Sequence, residues 1–315
     1  MGKRVTNVVQ VKNSRLNWED ALKGFLFFKQ AQGISKTTLN DYKRHVEYFF
    51  KRYPDSWSDG KLKPFILDYF SDNLKPASYN LRLIYLKAFF TWCVQEKYLQ
   101  ENPLSGFVKR KATGKIVDVP EDILQKLLML PNRKTFAGIR DYGLLVFTLD
   151  TGVRPKEALS LTINDFDLKR FTVTIPEDVA KTRVARILPI LNPTANIINQ
   201  LIEIRHPSWS SDTPVFCSNE GTKMNTQTWG DRLELYANKL GVKIRPYDLR
   251  HSFALLYLRG GGNAFGLQKE LGHVDMSMTR RYVNLTGNDL ENIHRTASPL
   301  NRLITSKKRV GKIKK

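Results

Sequence analysis

Cysteine is nearly absent from this 315-residue chain, which has only Cys93 and Cys217, far apart and in apolar settings. A disulfide framework is thereby excluded as the source of stability, and two buried free thiols in a reducing compartment are expected. No apolar run approaches the ~20 residues that a membrane-spanning helix needs, which excludes that class of membrane protein. Behind the basic start, M-G-K-R-V-T-N, no apolar signal core follows. A cytoplasmic, nucleoid-associated location with no membrane partner is therefore expected. Zinc-type Cys/His spacing is missing. Gly260–Gly262 leads to no lysine–serine pair, so there is no nucleotide-phosphate loop. Acidic residues are scarce: 30 Asp and Glu face 51 Lys and Arg, for a formal net charge of +21.

That charge is unevenly spread. Residues 1–115 hold 21 Lys and Arg against 10 acids, residues 116–301 hold 23 against 20, and the last 14 hold 7 against none. Two basic concentrations flanking a near-neutral stretch point to a polyanionic partner. Nucleic acid is preferred over a membrane surface, because no basic stretch has the broad apolar face of an interfacial helix. With 41% hydrophobic and 11% aromatic residues the chain can bury real cores, and its length allows two domains.

In chain order, residues 1–16 read as a flexible N-terminus. Asn17 caps a helix whose stripe is Trp18, Leu22, Phe25 and Leu26, and Ser35 caps a second with Leu39, Tyr42, Val46 and Phe49. Pro64 opens a third, carrying Phe65, Ile66, Leu67 and Phe70, and Pro76 opens a long fourth through Val94. Lys36, Lys43, Arg44, Arg82 and Lys87 lie off these stripes, so the spacing predicts a helical DNA-binding module over 17–104 with basic outer faces. Residues 105–116, with Lys109, Arg110 and Lys111, read as an extended basic linker that follows DNA. A mixed domain is expected over 117–286. It has a buried helix near 137–149, strands in F-T-V-T-I and 185–190, a short edge strand at 215–217, and helices at 193–205, 225–240, 247–259, 264–271 and 275–283. Residues 287–315 form a helical segment and a basic tail.

The chemistry gathers in the second half. T-G-V-R-P-K-E-A-L puts Arg154 just past a buried helix, K-T-R-V-A-R-I-L-P puts Lys181 in a hairpin, and R-P-Y-D-L-R-H-S-F-A, L-G-H and T-R-R-Y carry Arg250, His251, His273 and Tyr282. Guanidinium forks bind phosphate oxygens bidentately, imidazole moves protons, and a phenol can attack phosphorus. Each has a structural alternative: an ion pair with Glu157 for Arg154, one with Asp248 for Arg250. His251, about a hundred degrees around a helix from Arg250, is expected to be structural or to support the reacting groups from behind.

In order and separation these boxes resemble the tyrosine recombinases, the phage-integrase and Xer-like family. The resemblance covers most of the chain. It implies a mainly α fold with a small β-sheet, in which a helical core-binding domain and a mixed α/β catalytic domain form a C-shaped DNA clamp. It further implies that Arg154 and Arg250 bind phosphate, Lys181 protonates the leaving 5′ oxygen, His273 is the second histidine and Tyr282 is the nucleophile. Tyr247 departs from the pattern, because the family usually has His or Lys three residues before the second arginine. The implied activity is site-specific recombination through a 3′-phosphotyrosine, with no metal, cofactor or ATP. It would serve integration, excision or replicon resolution. The implied partners are double-stranded DNA carrying specific sites, a homotetramer on two of them, a docking role for 287–315 and an accessory DNA-bending protein. Two rivals stay open: a noncatalytic DNA-binding protein on this scaffold, and a type IB topoisomerase-like nicking-closing enzyme. A third, a metal-dependent nuclease or transposase using Asp141, Asp150 and Asp165, has a poorer signal.

Overall fold

A computed structural model describes residues 17–57, 61–112, 116–283 and 287–303. The chain divides between residues 114 and 115 into two compact units.

The first unit holds four helices, α1 (Trp18–Ala31), α2 (Lys36–Arg52), α3 (Leu62–Ser71) and α4 (Pro76–Gln95). Asn17 and Ser35 cap as expected: the Asn17 side chain accepts from the Asp20 amide at 2.7 Å, and Ser35 from that of Thr38 at 3.3 Å. The core is aromatic, with Phe25, Phe49, Phe50, Tyr69, Phe89 and Phe90 fully buried. Each such ring contributes about 1.5–3 kcal/mol on burial, and edge-on pairs such as Phe25 with Phe89 add orientation. Helix α3 begins two residues before Pro64, and Leu67 is exposed rather than on the buried stripe.

Two of the basic residues expected on outer faces turn inward. Arg82 donates to Asp72 at 2.7 Å and to the Tyr69 carbonyl at 3.0 Å, with its guanidinium over the Tyr69 ring. Lys87 donates to the carbonyls of Ser105 and Phe107. Long basic side chains can lie back along their helix to reach orphan acceptors, which helical spacing alone does not reveal. Lys36, Lys43 and Arg44 are exposed. The stretch expected to be an extended linker is tied to the helices as far as Arg110. Phe107 sits on Phe70 with centroids 5.1 Å apart, and the Asn80 side chain bonds both backbone groups of Arg110. Lys109, Arg110 and Lys111 stay exposed, and Arg110 covers the Tyr79 ring.

The second unit is built around α6 (Phe136–Thr151), buried on nearly every side and packed on α8 (Asn192–Glu203) and α10 (Pro246–Arg259). Before α6 comes α5 (Glu121–Met129), and one turn after it α7 (Pro155–Ala158). A three-stranded antiparallel sheet follows: β1 (Phe166–Asp167), β2 (Thr172–Ile175) and β3 (Arg186–Pro189), in order β1-β2-β3, with Val173 opposite Leu188 and Ile175 opposite Arg186. The long β2–β3 connection carries Lys181. Residues 215–217 form no strand; Cys217 makes one isolated bridge to Lys223, and the Val215 amide donates to Leu161. The remaining helices are α9 (Thr226–Lys239), α11 (Ala264–Leu271), α12 (Met276–Val283), α13 (Gly287–Ala297) and α14 (Leu300–Leu303). Among the described residues no helix is long and apolar enough to cross a membrane. The expectations for 1–16 and for the basic end of the tail, 304–315, lie outside the described residues.

Candidate active site

The site forms where α6 ends, α7 begins, and β3, α10, α11 and α12 meet. Helix α6 stops at Gly152, whose φ of +60 is left-handed. Its carbonyl then accepts from Arg250 Nη1 at 2.6 Å. Helix α11 likewise stops at left-handed Gly272. A helix leaves its last carbonyls unpaired and carries partial negative charge at that end. Here three successive carbonyls each take an arginine: Glu270 from Arg186 Nε at 3.1 Å, Leu271 from Arg250 Nη2 at 2.8 Å, and Gly272 from Arg154 Nη2 at 3.1 Å. The end of α11 thus fixes three guanidiniums in one place.

A single carboxylate organises their other side. Glu157, fully buried on α7, accepts from Arg154 Nη1 at 3.0 Å, Arg186 Nη2 at 2.6 Å and the Lys181 amide at 3.2 Å. Burial alone would raise its pKa, but Arg186, Arg154 and the Lys181 amide hold it below the usual carboxylate range. The expected Arg154–Glu157 ion pair therefore exists, within a larger network. No pair forms between Arg250 and Asp248, because the Asp248 carboxylate accepts from the Arg245 amide at the start of α10. Burial, and then the nearness of Arg154, pulls the Arg250 guanidinium down to about 10, which still leaves it charged at neutral pH. Three guanidiniums against one carboxylate leave excess positive charge in a mostly buried place. Arg186 Nη1 is itself buried with no hydrogen-bond partner among the described residues. Such a site favours an anion.

Tyr282, on α12, is only 5% exposed and belongs to the apolar cluster of Phe253, Leu255, Leu258, Leu267 and Leu271. Burial pushes its phenol up, against the pull of Arg250, Arg281 and Arg154. Two histidines lie beside it. The His273 ring stacks parallel to it at 6.5 Å between centroids. His273 Nε2 is 3.1 Å from Arg250 Nη2, and its Nδ1 is 2.9 Å from Thr279 Oγ1. Arginine can only donate, so Nε2 accepts, the proton sits on Nδ1, and His273 is neutral. Burial, then Arg250, Arg154 and Arg186, lowers it to about 4. The second histidine is His251, whose Nδ1 lies 2.8 Å from the Tyr282 hydroxyl. Of the two parts expected for it, a purely structural one does not fit this contact: the helical angle separates His251 from Arg250 but aims it across to α12.

The structure thus brings Arg154, Arg250, His273 and Tyr282 together, and adds Glu157, Arg186 and His251. Lys181 is tied to the site through its backbone, with its side chain exposed. Tyr247 is half exposed one turn before Arg250. Arg186 was open to detection from sequence, as an arginine opening a strand five residues after Lys181 in the same box. The three carboxylates of the metal reading are separately engaged. Asp141 binds Arg140, Arg232 and Tyr236, Asp150 caps α8 through Leu191 and Thr194, and Asp165 bonds Thr162. Among the described residues no three His, Cys, Asp or Glu gather as a metal site.

Residues 118–288 match the phage integrase family. Tyrosine recombinase XerC of Thermodesulfovibrio yellowstonii is 27% identical over 288 residues, covering 87% of this chain and 94% of that protein. Tyrosine recombinase XerD of Listeria innocua serovar 6a is 25% identical over 297 residues, 89% of this chain and 99% of its own. Two solved structures share the fold. The Tn1549 transposon integrase in complex with transposon right end DNA has a TM-score of 0.67 at 19% identity, covering 88% of this chain and 99% of that one. XerH site-specific recombinase bound to difH has a TM-score of 0.63 at 22% identity, covering 90% and 85%. Since the family match spans more than half of the sequence and takes in every side chain gathered around Tyr282, the chain belongs to the phage integrase family.

Proposed function

We propose that the protein is a site-specific DNA recombinase that cuts and rejoins strands through a 3′-phosphotyrosine at Tyr282. The observation that carries this reading is a buried tyrosine beside three arginines clamped on one helix end. A phenol is a weak nucleophile at neutral pH, so its attack needs a strongly polarised phosphate. Arg154 and Arg250 supply that by neutralising the nonbridging oxygens as charge develops, each worth about 3 kcal/mol, or a hundredfold, by analogy with oxyanion-hole donors. Being held before substrate arrives, they need no reorganisation when it does. His273 joins Arg250 at the phosphate, Lys181 protonates the leaving 5′ oxygen from the exposed β2–β3 connection, and Tyr247 offers a neutral hydrogen bond. The ester to tyrosine conserves the energy of the cut bond, so no ATP or metal enters.

Lys36, Lys43, Arg44, Lys109, Arg110 and Lys111 remain as phosphate contacts of the first unit, whereas Arg82 and Lys87 serve the module itself. Double-stranded DNA with two recombination sites is the substrate, and four chains act together, because joining two duplexes anew takes four cuts and each chain offers one nucleophile. Residues 287–315 reach a neighbouring chain, an accessory protein bends the DNA, and the biological setting is a mobile element or replicon resolution. The test is Tyr282→Phe. It keeps DNA affinity and loses the covalent complex on nicked substrates; a variant that still becomes joined to DNA contradicts the assignment.

A further inference from the structure

As Tyr282 Oη bonds to phosphorus, its proton has to go somewhere. His273 is poorly placed to take it, with both ring nitrogens engaged by Arg250 and Thr279. The hydroxyl's partner is His251, with Nδ1 at 2.8 Å, inside the range for direct transfer.

We infer that His251 is the general base of strand cleavage and the general acid of rejoining. This rests on the recombinase reading above. With its proton on Nε2, His251 accepts the phenolic proton at Nδ1 while the O–P bond forms. The bond from phosphorus to the 5′ oxygen breaks, and that oxygen leaves with a proton from Lys181. The intermediate therefore holds a protonated His251 and a neutral Lys181. Rejoining consumes that state: Lys181 takes the proton of the attacking 5′ hydroxyl, and His251 returns its own to the departing phenol. No proton is gained or lost over the cycle.

The surroundings keep His251 in the form this requires. Burial first, then Arg281 of α12 and Arg250 of α10, lowers its pKa, opposed only by Asp248. The other groups around the pair are Arg154 and Tyr247, both of which act on Tyr282. His251 is therefore neutral at pH 7 and loses function only as pH falls below its ordinary value of about 6.5.

The test uses the full chain on a DNA site recovered from its covalent complexes, with sulfur replacing the scissile 5′ bridging oxygen. A thiolate leaves without a proton, so the rate of covalent joining reports the base alone. Wild type is expected to be flat from pH 7 to 9. His251→Ala should be slowed by about 10²–10⁴ at pH 7 and gain about tenfold per pH unit, because hydroxide then removes the proton of a phenol whose pKa lies above about 10. Lys181→Ala should be restored by the sulfur. DNA affinity and melting temperature identify a misfolded variant, and His251→Gln provides a second, isosteric one. A wild-type rate, or a slowed rate with a flat profile in both variants, overturns the inference and leaves His251 a positioning residue. A wild-type protein that never joins DNA overturns instead the recombinase reading beneath it.

Discussion

Tyr282 is a poor nucleophile until its neighbours act on it. Burial raises its phenol, and the nearby arginines only partly offset this. On the proposed reading, what they add to its reactivity comes through the scissile phosphate they would hold. Truncating Arg250 to alanine should therefore slow covalent joining by at least a hundredfold, counting about 3 kcal/mol for one charge-assisted contact. The Gly152 and Leu271 carbonyls would also lose their donor. Tyr247→Phe removes only the one neutral hydrogen bond proposed for this half-exposed side chain, so a loss of about tenfold or less is expected. Single-turnover cleavage by both variants checks this, and equal losses would make the phenol essential. At this scale the sequence was legible where a side chain sits in a recognisable box, as with Arg154, Arg250, His273 and Tyr282. It was not legible for His251, whose part is set by a contact 31 residues away in Tyr282, and for Arg186 the box was visible but its partner Glu157, 29 residues away, was not. Spacing along one helix says nothing of what a second helix brings opposite.

The element that unites the site is the C-terminal end of α11, whose last three carbonyls hold Arg186, Arg250 and Arg154. Its counterpart is the end of α6, where Gly152 turns left-handed and offers its carbonyl to Arg250. A Cβ on Gly152 would stand 2.2 Å from Phe253 Cδ1 and 2.8 Å from Leu271 Cδ2, on the two helices that carry the arginine and its acceptors. Gly152→Ala should cost about 3 kcal/mol, combining the left-handed penalty with overpacking. That lowers the melting temperature of the second unit by roughly 6–12 °C and cleavage with it. Gly241→Ala is the control, since Gly241 has a φ of +66 but open space around it. Equal shifts in the two variants would show that the packing between α6, α10 and α11 is not what fixes the site. The helices themselves could be read from capping residues and apolar stripes, to within a few residues. The strand expected at 215–217 failed because a short apolar run fits a buried loop equally well, and here Val215–Cys217 is fully buried. Arg82 and Lys87 failed for the related reason that a polar position off the stripe does not reveal where a long side chain folds back.

Over the whole molecule the net charge of +21 has two parts with different work to do. The arginines of the site are tied down by carbonyls and Glu157, while Lys36, Lys43, Arg44, Lys109, Arg110 and Lys111 stand exposed and are the phosphate contacts proposed above. The last 14 residues add seven positive charges and no acid. If half of these neutralise phosphates, deleting 302–315 flattens the slope of log affinity against log salt by roughly three units, at about 0.9 per contact. Sequence preference is kept, because phosphate contacts position without reading bases. An unchanged slope would leave the tail as solvated surface. The chemistry itself comes down to one bond. Covalent complexes trapped on DNA, digested with nuclease and then trypsin, should yield the peptide 282–295, which follows Arg281 and has Tyr282 as its single tyrosine. Mass spectrometry of that peptide is expected to find a nucleotide 3′-phosphate on Tyr282. Finding the nucleotide on a different residue, or the peptide always unmodified in complexes that resist denaturation, would contradict the account.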